Sequence, residues 1–468
     1  MTSTGCSEDC RHASFRDPSG FLFRRDGVLY RQINSSYQSH YELLLNCGLY
    51  DELVRAGQMV PHDEAAIPAE VTDGAYRVIQ PHELPFISYP YEWCFSQLKD
   101  AALLTLDVQK KALARGMVLK DASAYNVQMM DGHPVLIDTL SFEQYVEGRP
   151  WVAYRQFCQH FLAPLALMSR RDIRLGQLLR CYIDGIPLDL ASRLLPKRTF
   201  LTFTLGLHIH AHARSQRRYA DRPKQIRRAR AGFSRRSFIG LIDSLESAVK
   251  KLTCPAVRGE WSDYYASQHN YAEEGLEKKE AVIEDLLADV PVGVVWDLGA
   301  NTGRFSRIAQ RRASLTVAWD VDPTCVELNY RQVLRDREED LLPLWLDLTN
   351  PSGGTGWANV ERMSFMRRGP VDTALALGLI HHIAIANNVP LDRIAAFLAD
   401  LCRWLVIEFV PKEDSQVQRM LSTRQDIFNN YHAEGFQAAF NKRFTVEKIV
   451  PIDGIKRTIY LMKTRNGF

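Results

Sequence analysis

No stretch of uncharged apolar residues approaches the roughly 20 that a bilayer-crossing helix needs, and the opening MTSTGCSEDCRHASFRDPSG lacks the apolar core of a secretion signal. A cytoplasmic location is the expectation. Charge of one sign is also missing: 58 Lys and Arg against 55 Asp and Glu leave +3 over 468 residues, too little for a global attraction to nucleic acid or anionic membrane. Cysteine is sparse and unpatterned. The nine stand at 6, 10, 47, 94, 158, 181, 254, 325 and 402, odd in number and without a repeated spacing, which fits buried thiols in a reducing compartment. Cys6, Cys10 and His12 suggest a metal site only if taken alone, because no second ligand pair follows them. Internal repeats and low-complexity tracts are absent too.

Hydrophobic residues make up 46% and charged residues 24%, enough to bury the cores of two or three domains. The composition shifts at residues 212–238, where ten Arg or Lys face one acid, Asp221. Such a run could touch RNA, but its interleaved aromatics are limited to Tyr219 and Phe233, and a solvated helical connector is the preferred reading. The helical patterns SFIGLIDSLESAVKKL and EEGLEKKEAVIEDLLADV follow. Strand-like runs then alternate with helical ones, at 292–299, 315–322, 342–348, 371–380 and 403–410, which predicts a parallel sheet with helices on both faces. RFTVEKIVPI and KRTIYLMKT, separated by Asp453-Gly454, read as a terminal antiparallel hairpin. The expected domains are an N-terminal tail (1–14), a front domain (15–210), a basic connector (211–260) and a sheet domain (261–468).

The stretch VVWDLGANTGRFSRIAQ, residues 294–310, passes from a strand through a glycine-bracketed turn into a helix. Gly299 and Gly303 permit a sharp turn and a close ligand approach, and the helix N-terminus suits a phosphate or a carboxylate. Asp320 ends the second strand about 20 residues on, where an acid can bind the hydroxyls of a ribose. The spacing G-x-x-x-G lacks the middle glycine of the dinucleotide fingerprint, its place being taken by Asn301. An acid at 297 would also repel a pyrophosphate, whereas it suits an ammonium group. Asp347, ending the third strand, is placed to accept from an adenine amino group. A dinucleotide oxidoreductase and a nucleotide-free α/β domain remain the competing readings.

Asp297, Gly299, Asn301, Gly303, Asp320 and Asp347 on successive strand ends, with the terminal hairpin, resemble the class I S-adenosylmethionine (SAM)-dependent methyltransferases over about residues 261–468. The resemblance implies a Rossmann-like sheet ending in an antiparallel strand, SAM as cofactor, and an in-line displacement at a carbon that the sulfonium already activates. Such a reaction needs alignment and exclusion of water rather than a metal. GLIHHIAIANNVPL after the fourth strand should border the methyl group. His382 is there either a pocket-lining base for a hydroxyl acceptor or, with His381, a packing residue. Glu408 at the fifth strand's end is either a substrate contact or the partner of Lys412 in an ion pair. Nothing after the fourth strand defines the acceptor, which is expected to be a small molecule or carbohydrate.

In the front half, Asp121 and Asn126 are spaced D-x-x-x-x-N, and Asp138 follows at the end of PVLID. This resembles the catalytic and metal-binding loops of the protein kinase-like fold, in which the first Asp orients a hydroxyl and the other two residues hold magnesium. That implies an α+β domain and a Mg-ATP site. The departures are large: Leu119 and Lys120 precede Asp121, Thr139 and Leu140 follow Asp138, and the hairpin GFLFRRDGVLYRQI carries neither a glycine loop nor the phosphate-binding lysine, for which Arg31 could substitute. A degenerate platform is therefore preferred over an active phosphotransferase with a SAM-sensing domain, or a non-catalytic regulator. Over nearly its whole length the chain also resembles the bacterial host-specific nodulation protein family of NoeA, which implies a role in symbiosis without naming an acceptor.

Overall fold

The computed structural model describes residues 14–214, 233–255, 273–454 and 456–465. Cys6, Cys10, His12 and most of the basic run lie outside the described residues. The chain divides into two compact units, residues 1–256 with 354–362, and residues 257–353 with 363–468.

In the first unit β1 (Gly20–Arg25) and β2 (Val28–Asn34) form the expected hairpin. Asp26 and Gly27 both take positive φ at its turn, the conformation that matches the twist of the flanking strands. With β3 (His62–Glu64) and β4 (Ala75–Pro81) they make an antiparallel sheet in the order β1-β2-β4-β3, packed on Tyr37, Tyr41 and Leu140 through Ile33 and Ile79. Helix Phe95–Ala114 buries Leu98, Ala101, Ala102, Val108 and Leu113. Four short strands follow: β5 (Met117–Leu119), β6 (Val127–Met130), β7 (His133–Leu136) and β8 (Phe142–Gln144), with β5 paired to β8 and β6 to β7. Helix Arg235–Lys251 starts on Ser234, whose side chain accepts from the Ser237 N–H. It buries Phe238, Ile242, Leu245 and Val249, packs against Phe95–Ala114, and pairs Asp243 and Glu246 with Lys110.

Among the described residues the second unit holds seven strands: β9 (Val294–Leu298), β10 (Leu315–Asp320), β11 (Leu341–Trp345), β12 (Val371–Ala376), β13 (Cys402–Phe409), β14 (Phe444–Pro451) and β15 (Thr458–Thr464). Their order is β11-β10-β9-β12-β13-β15-β14. β9 to β13 are mutually parallel, while β15 runs antiparallel to both β13 and β14. The parallel strands are buried on both faces, as continuous runs such as LTVAWD require. One side packs Ile283, Leu286 and Leu287 of helix Glu273–Ala288 against Val295, Leu375, Val406 and Leu461.

Chain order reverses between β9 and β12. Successive strands extend one way through β10 and β11 and the other way through β13, so the carboxyl ends of β9 and β12 are the switch point, where open α/β sheets place a ligand crevice. The helix that follows the glycine turn is short, Ser306–Gln310, because Asn301 and Gly303 hold positive φ and keep the chain in a turn. Helices Pro323–Asp336 and Leu391–Leu401 lie between strands, in keeping with the alternation of strand-like and helical runs.

Candidate functional site

Asp297, at the end of β9, is buried and accepts a hydrogen bond of 2.6 Å from Ser306 Oγ, the first residue of the following helix. That bond closes the turn Gly299–Gly303 from beneath. Gly299 and Gly303 have φ of 82° and 83°, and Asn301 has 52°, values at which a side chain is strained. At Gly303 a Cβ would also lie 2.5 Å from Asn329 Nδ2 and 2.6 Å from Arg307 Nη1. Arg307 clamps the turn, donating to the carbonyls of Thr302 and Gly303 at 2.9 and 3.1 Å and to both carboxylate oxygens of Glu338 at 2.8 Å. No spacing in the sequence pairs 307 with 338.

Asp320 faces the same turn from β10. Its Oδ2 accepts from the Asn301 N–H at 2.6 Å and its Oδ1 from the Asp322 N–H at 2.8 Å. A carboxylate offers about four acceptor positions, so capacity for a diol remains. Burial pushes Asp297 up to about 7, with the neighbouring Asp320 adding to the rise and the Ser306 bond opposing it. Burial likewise pushes Asp320 up to about 6, against the pull of the backbone N–H groups. These are two adjacent carboxyls whose ionisation lacks a full counter-charge, a common mark of ligand sites. Asp347 lies two residues beyond β11, its Oδ1 engaged by the N–H and Oγ1 of Thr349 at 2.8 and 2.6 Å, with Oδ2 still available to a ligand donor.

The fourth strand leads through Gly378 (φ 64°) to His381 and His382, whose rings lie 4.2 Å apart. His382 opens a π-helical turn, His382–Ala386. Burial and the nearby Arg457 push His382 down to about 4, so it stands neutral. His381 is more deeply buried, its Nδ1 has no hydrogen-bond partner, and burial holds its pKa well below the ordinary value.

Glu408 at the end of β13 does form an ion pair, but with a different lysine. Lys279 of helix Glu273–Ala288 reaches it at 2.7 Å, while Lys412 pairs with Asp426. Arg457, at the entry to β15, stands 3.6 Å from Glu408 and 2.8 Å from Asp414. Lys279 Nζ also lies 4.6 Å from the Phe305 ring centre. Thus Asp297, the glycine turn, Asp320, His382 and the Lys279–Glu408–Arg457 chain all border the carboxyl ends of β9, β10, β12 and β13. Sequence reasoning missed Lys279 and Arg457, each remote in the chain from what it pairs with.

In the first unit Asp121, Asn126 and Asp138 also come together. Asp121 accepts from Gln156 Nε2 at 2.8 Å, and Asn126 donates to Ser141 Oγ at 3.0 Å, which in turn hydrogen-bonds Asp138. Arg31 reaches Asp138 at 2.5 Å. Asp121 is raised, first by burial and then by the charge of Asp138. Asp138 is lowered despite its burial, because Arg31, Ser141 and the Leu140 N–H stabilise its charge. Among the described residues no group of three His, Cys, Asp or Glu is placed to hold a metal ion, no helix is long and apolar enough to cross a membrane, and Cys47, Cys94, Cys158, Cys181, Cys254, Cys325 and Cys402 are free thiols.

Fold and site together define a mixed α/β protein with buried acids gathered at the switch point of a parallel-rich sheet. No protein-family model matches the chain. The nodulation protein NoeA of Rhizobium meliloti (strain 1021) is 34% identical over 456 residues, 96% of this chain and 94% of the relative. The chain belongs to the NoeA family. Similar solved structures include the N-methyltransferase NodS from Bradyrhizobium japonicum WM9, with 11% identity, TM-score 0.32, and coverage of 45% of this chain and 95% of that one. The magnesium protoporphyrin IX methyltransferase ChlM from Synechocystis PCC 6803 gives 15% identity, TM-score 0.30, and coverage of 43% and 90%. WbdD gives 14%, 0.28, and coverage of 44% and 43%. Likeness at this level fixes no activity.

Proposed function

We propose that the second unit binds S-adenosylmethionine and transfers its methyl group to a small-molecule or carbohydrate acceptor, in a process tied to nodulation. The observation that carries this reading is the pair of buried carboxyls, Asp297 and Asp320, on adjacent strand ends around a turn in which Gly299, Asn301 and Gly303 hold positive φ. Asp297 would face the methionyl ammonium, Asp320 the ribose hydroxyls through its spare lone pairs, and Asp347 the adenine amino group. The bare backbone at Gly303 leaves no room for a side chain.

SAM supplies the activated methyl group. The chain's own groups align the acceptor and exclude water. His382, neutral at physiological pH, can accept a proton or a hydrogen bond but is a weak base, so alignment is its main part. The role in nodulation follows the relative's name.

Calorimetric titration with S-adenosylhomocysteine tests the reading. Binding by the wild type that Asp320→Ala weakens at least about tenfold, the order of one lost charge-assisted hydrogen bond, is the expected result; no wild-type binding would reject it. Methyl-labelled SAM added to rhizobial extract with wild type or Asp297→Ala would then identify the acceptor. For the first unit we infer a degenerate kinase-like platform, because Arg31 occupies the carboxylate that a magnesium ion would need.

A further inference from the structure

Surface helices of globular proteins turn polar residues to water. Residues 203–214 bury Leu205, Ile209 and Ala213 but leave further apolar residues outside. Phe203, Leu207, Ala211 and Arg214 recur at three- and four-residue intervals and are all exposed, while the polar His208 and His210 point inward. Both histidines are satisfied there: His208 bonds Tyr154 Oη and Ser244 Oγ at 2.8 Å each, and His210 bonds Ser192 Oγ at 2.7 Å and Thr199 Oγ1 at 2.8 Å. The inward bonds fix the helix with Phe203 and Leu207 outward.

The preceding turn extends the same surface. Leu201 is 90% exposed and Phe203 78%. Phe200 stacks on His210 with ring centres 3.7 Å apart and has the Arg214 guanidinium 5.3 Å from its ring centre. Exposed Lys197, Arg198 and Arg214 accompany these apolar tips, and no Asp or Glu occurs between Asp189 and Asp221.

We propose that this surface docks the protein on an anionic phospholipid bilayer, with Leu201, Phe203 and Leu207 entering the headgroup–acyl boundary and Lys197, Arg198 and Arg214 facing the lipid phosphates. Apolar side chains bordered by cations are what such a surface selects. A symmetric second copy would set these cations against themselves. RNA would stack along several open ring faces, but among Phe200, Leu201, Phe203 and Leu207 only Phe203 offers a largely open one, since Phe200 is stacked on His210 and the leucines have none. Docking of this kind requires no spanning helix.

Flotation of the full chain with vesicles tests the proposal. Binding to phosphatidylcholine–phosphatidylglycerol vesicles, absent with phosphatidylcholine alone, reduced by salt, and lowered at least about tenfold by Leu201→Glu/Phe203→Glu is expected, since two acyl-inserted side chains are lost. Both positions are exposed, so the variant should melt like the wild type. Four results would overturn the proposal: no binding to anionic vesicles; binding unchanged in the double variant; a wild-type dimer that the variant dissolves in the absence of lipid binding; or RNA binding lost in the variant where vesicles never bound.

Discussion

Lys279 Nζ donates to Glu408 Oε2 at 2.7 Å, with the two side chains only 4% and 0% exposed. The residues are 129 positions apart and join the helix before β9 to the end of β13. Burial lowers the pKa of Lys279 and Glu408 opposes that fall. Arg457 and Asp414 extend the chain, so two cations and two carboxylates balance beneath the crevice. Breaking a buried pair from one side leaves an uncompensated charge and costs about 3–5 kcal/mol. Lys279→Met should lower urea stability by that order, while Lys279→Met/Glu408→Leu should lose less than the two single losses added. An additive double variant would show that the pair has no coupling of its own.

Asp297 supplies a pH test. Its folded pKa stands above the ordinary carboxylate value at about 7, so the folded state retains a proton that the unfolded chain has released. The contribution to stability is fully present below about pH 4 and is lost as pH rises through 7. Asp297→Asn keeps an acceptor for Ser306 without the ionisation. It should be more stable than the wild type at pH 8, by about 1–4 kcal/mol, and nearly equal to it at pH 4. S-adenosylhomocysteine affinity should fall in the same variant, because an amide cannot pair with an ammonium. Equal melting curves at both pH values would contradict the assignment.

Gly303→Ala probes the turn itself. The new Cβ would meet Asn329 and the Arg307 clamp at 2.5 and 2.6 Å, at a φ that costs an L-residue about 1–2 kcal/mol. Loss of S-adenosylhomocysteine binding by well over tenfold, with little change in far-ultraviolet circular dichroism, is the expected result. Wild-type affinity would mean that the turn does not shape the ligand site.

The Arg31–Asp138 pair divides the readings of the first unit. Asp138 is held below its ordinary value chiefly by Arg31 against the effect of burial, so its stabilising charge is present at neutral pH and is lost as pH falls through the lowered pKa. Arg31→Ala should lower the melting temperature at pH 7 and approach the wild type toward pH 3. Magnesium-ATP should leave wild-type melting unchanged. A rise that Asp138→Ala abolishes would restore the active phosphotransferase reading.

The alternation of apolar runs and helical periods placed all seven strands of the second unit within a few residues, because buried parallel strands leave long unbroken apolar runs. The glycine turn was equally legible, since positive φ restricts the choice of residue. His381 and His382 were visible as a pair, but nothing in the sequence said that burial would hold them neutral. The partner of Glu408 was assigned to Lys412, four residues on, because proximity in the chain was the guide at hand; folding brought Lys279 there instead. Likewise the run 203–214 carries apolar residues at several helical positions, and only the fold shows that Leu205 and Ile209 face in while Phe203 and Leu207 face out.

By itself, then, the chain determined where strands, turns and acids fall along its length, since those follow from local periodicity and backbone conformational limits. Tertiary structure decided which charges meet. An ion pair depends on distance and exclusion of water between segments far apart in sequence, and neither exists until the sheet has closed its order around β9.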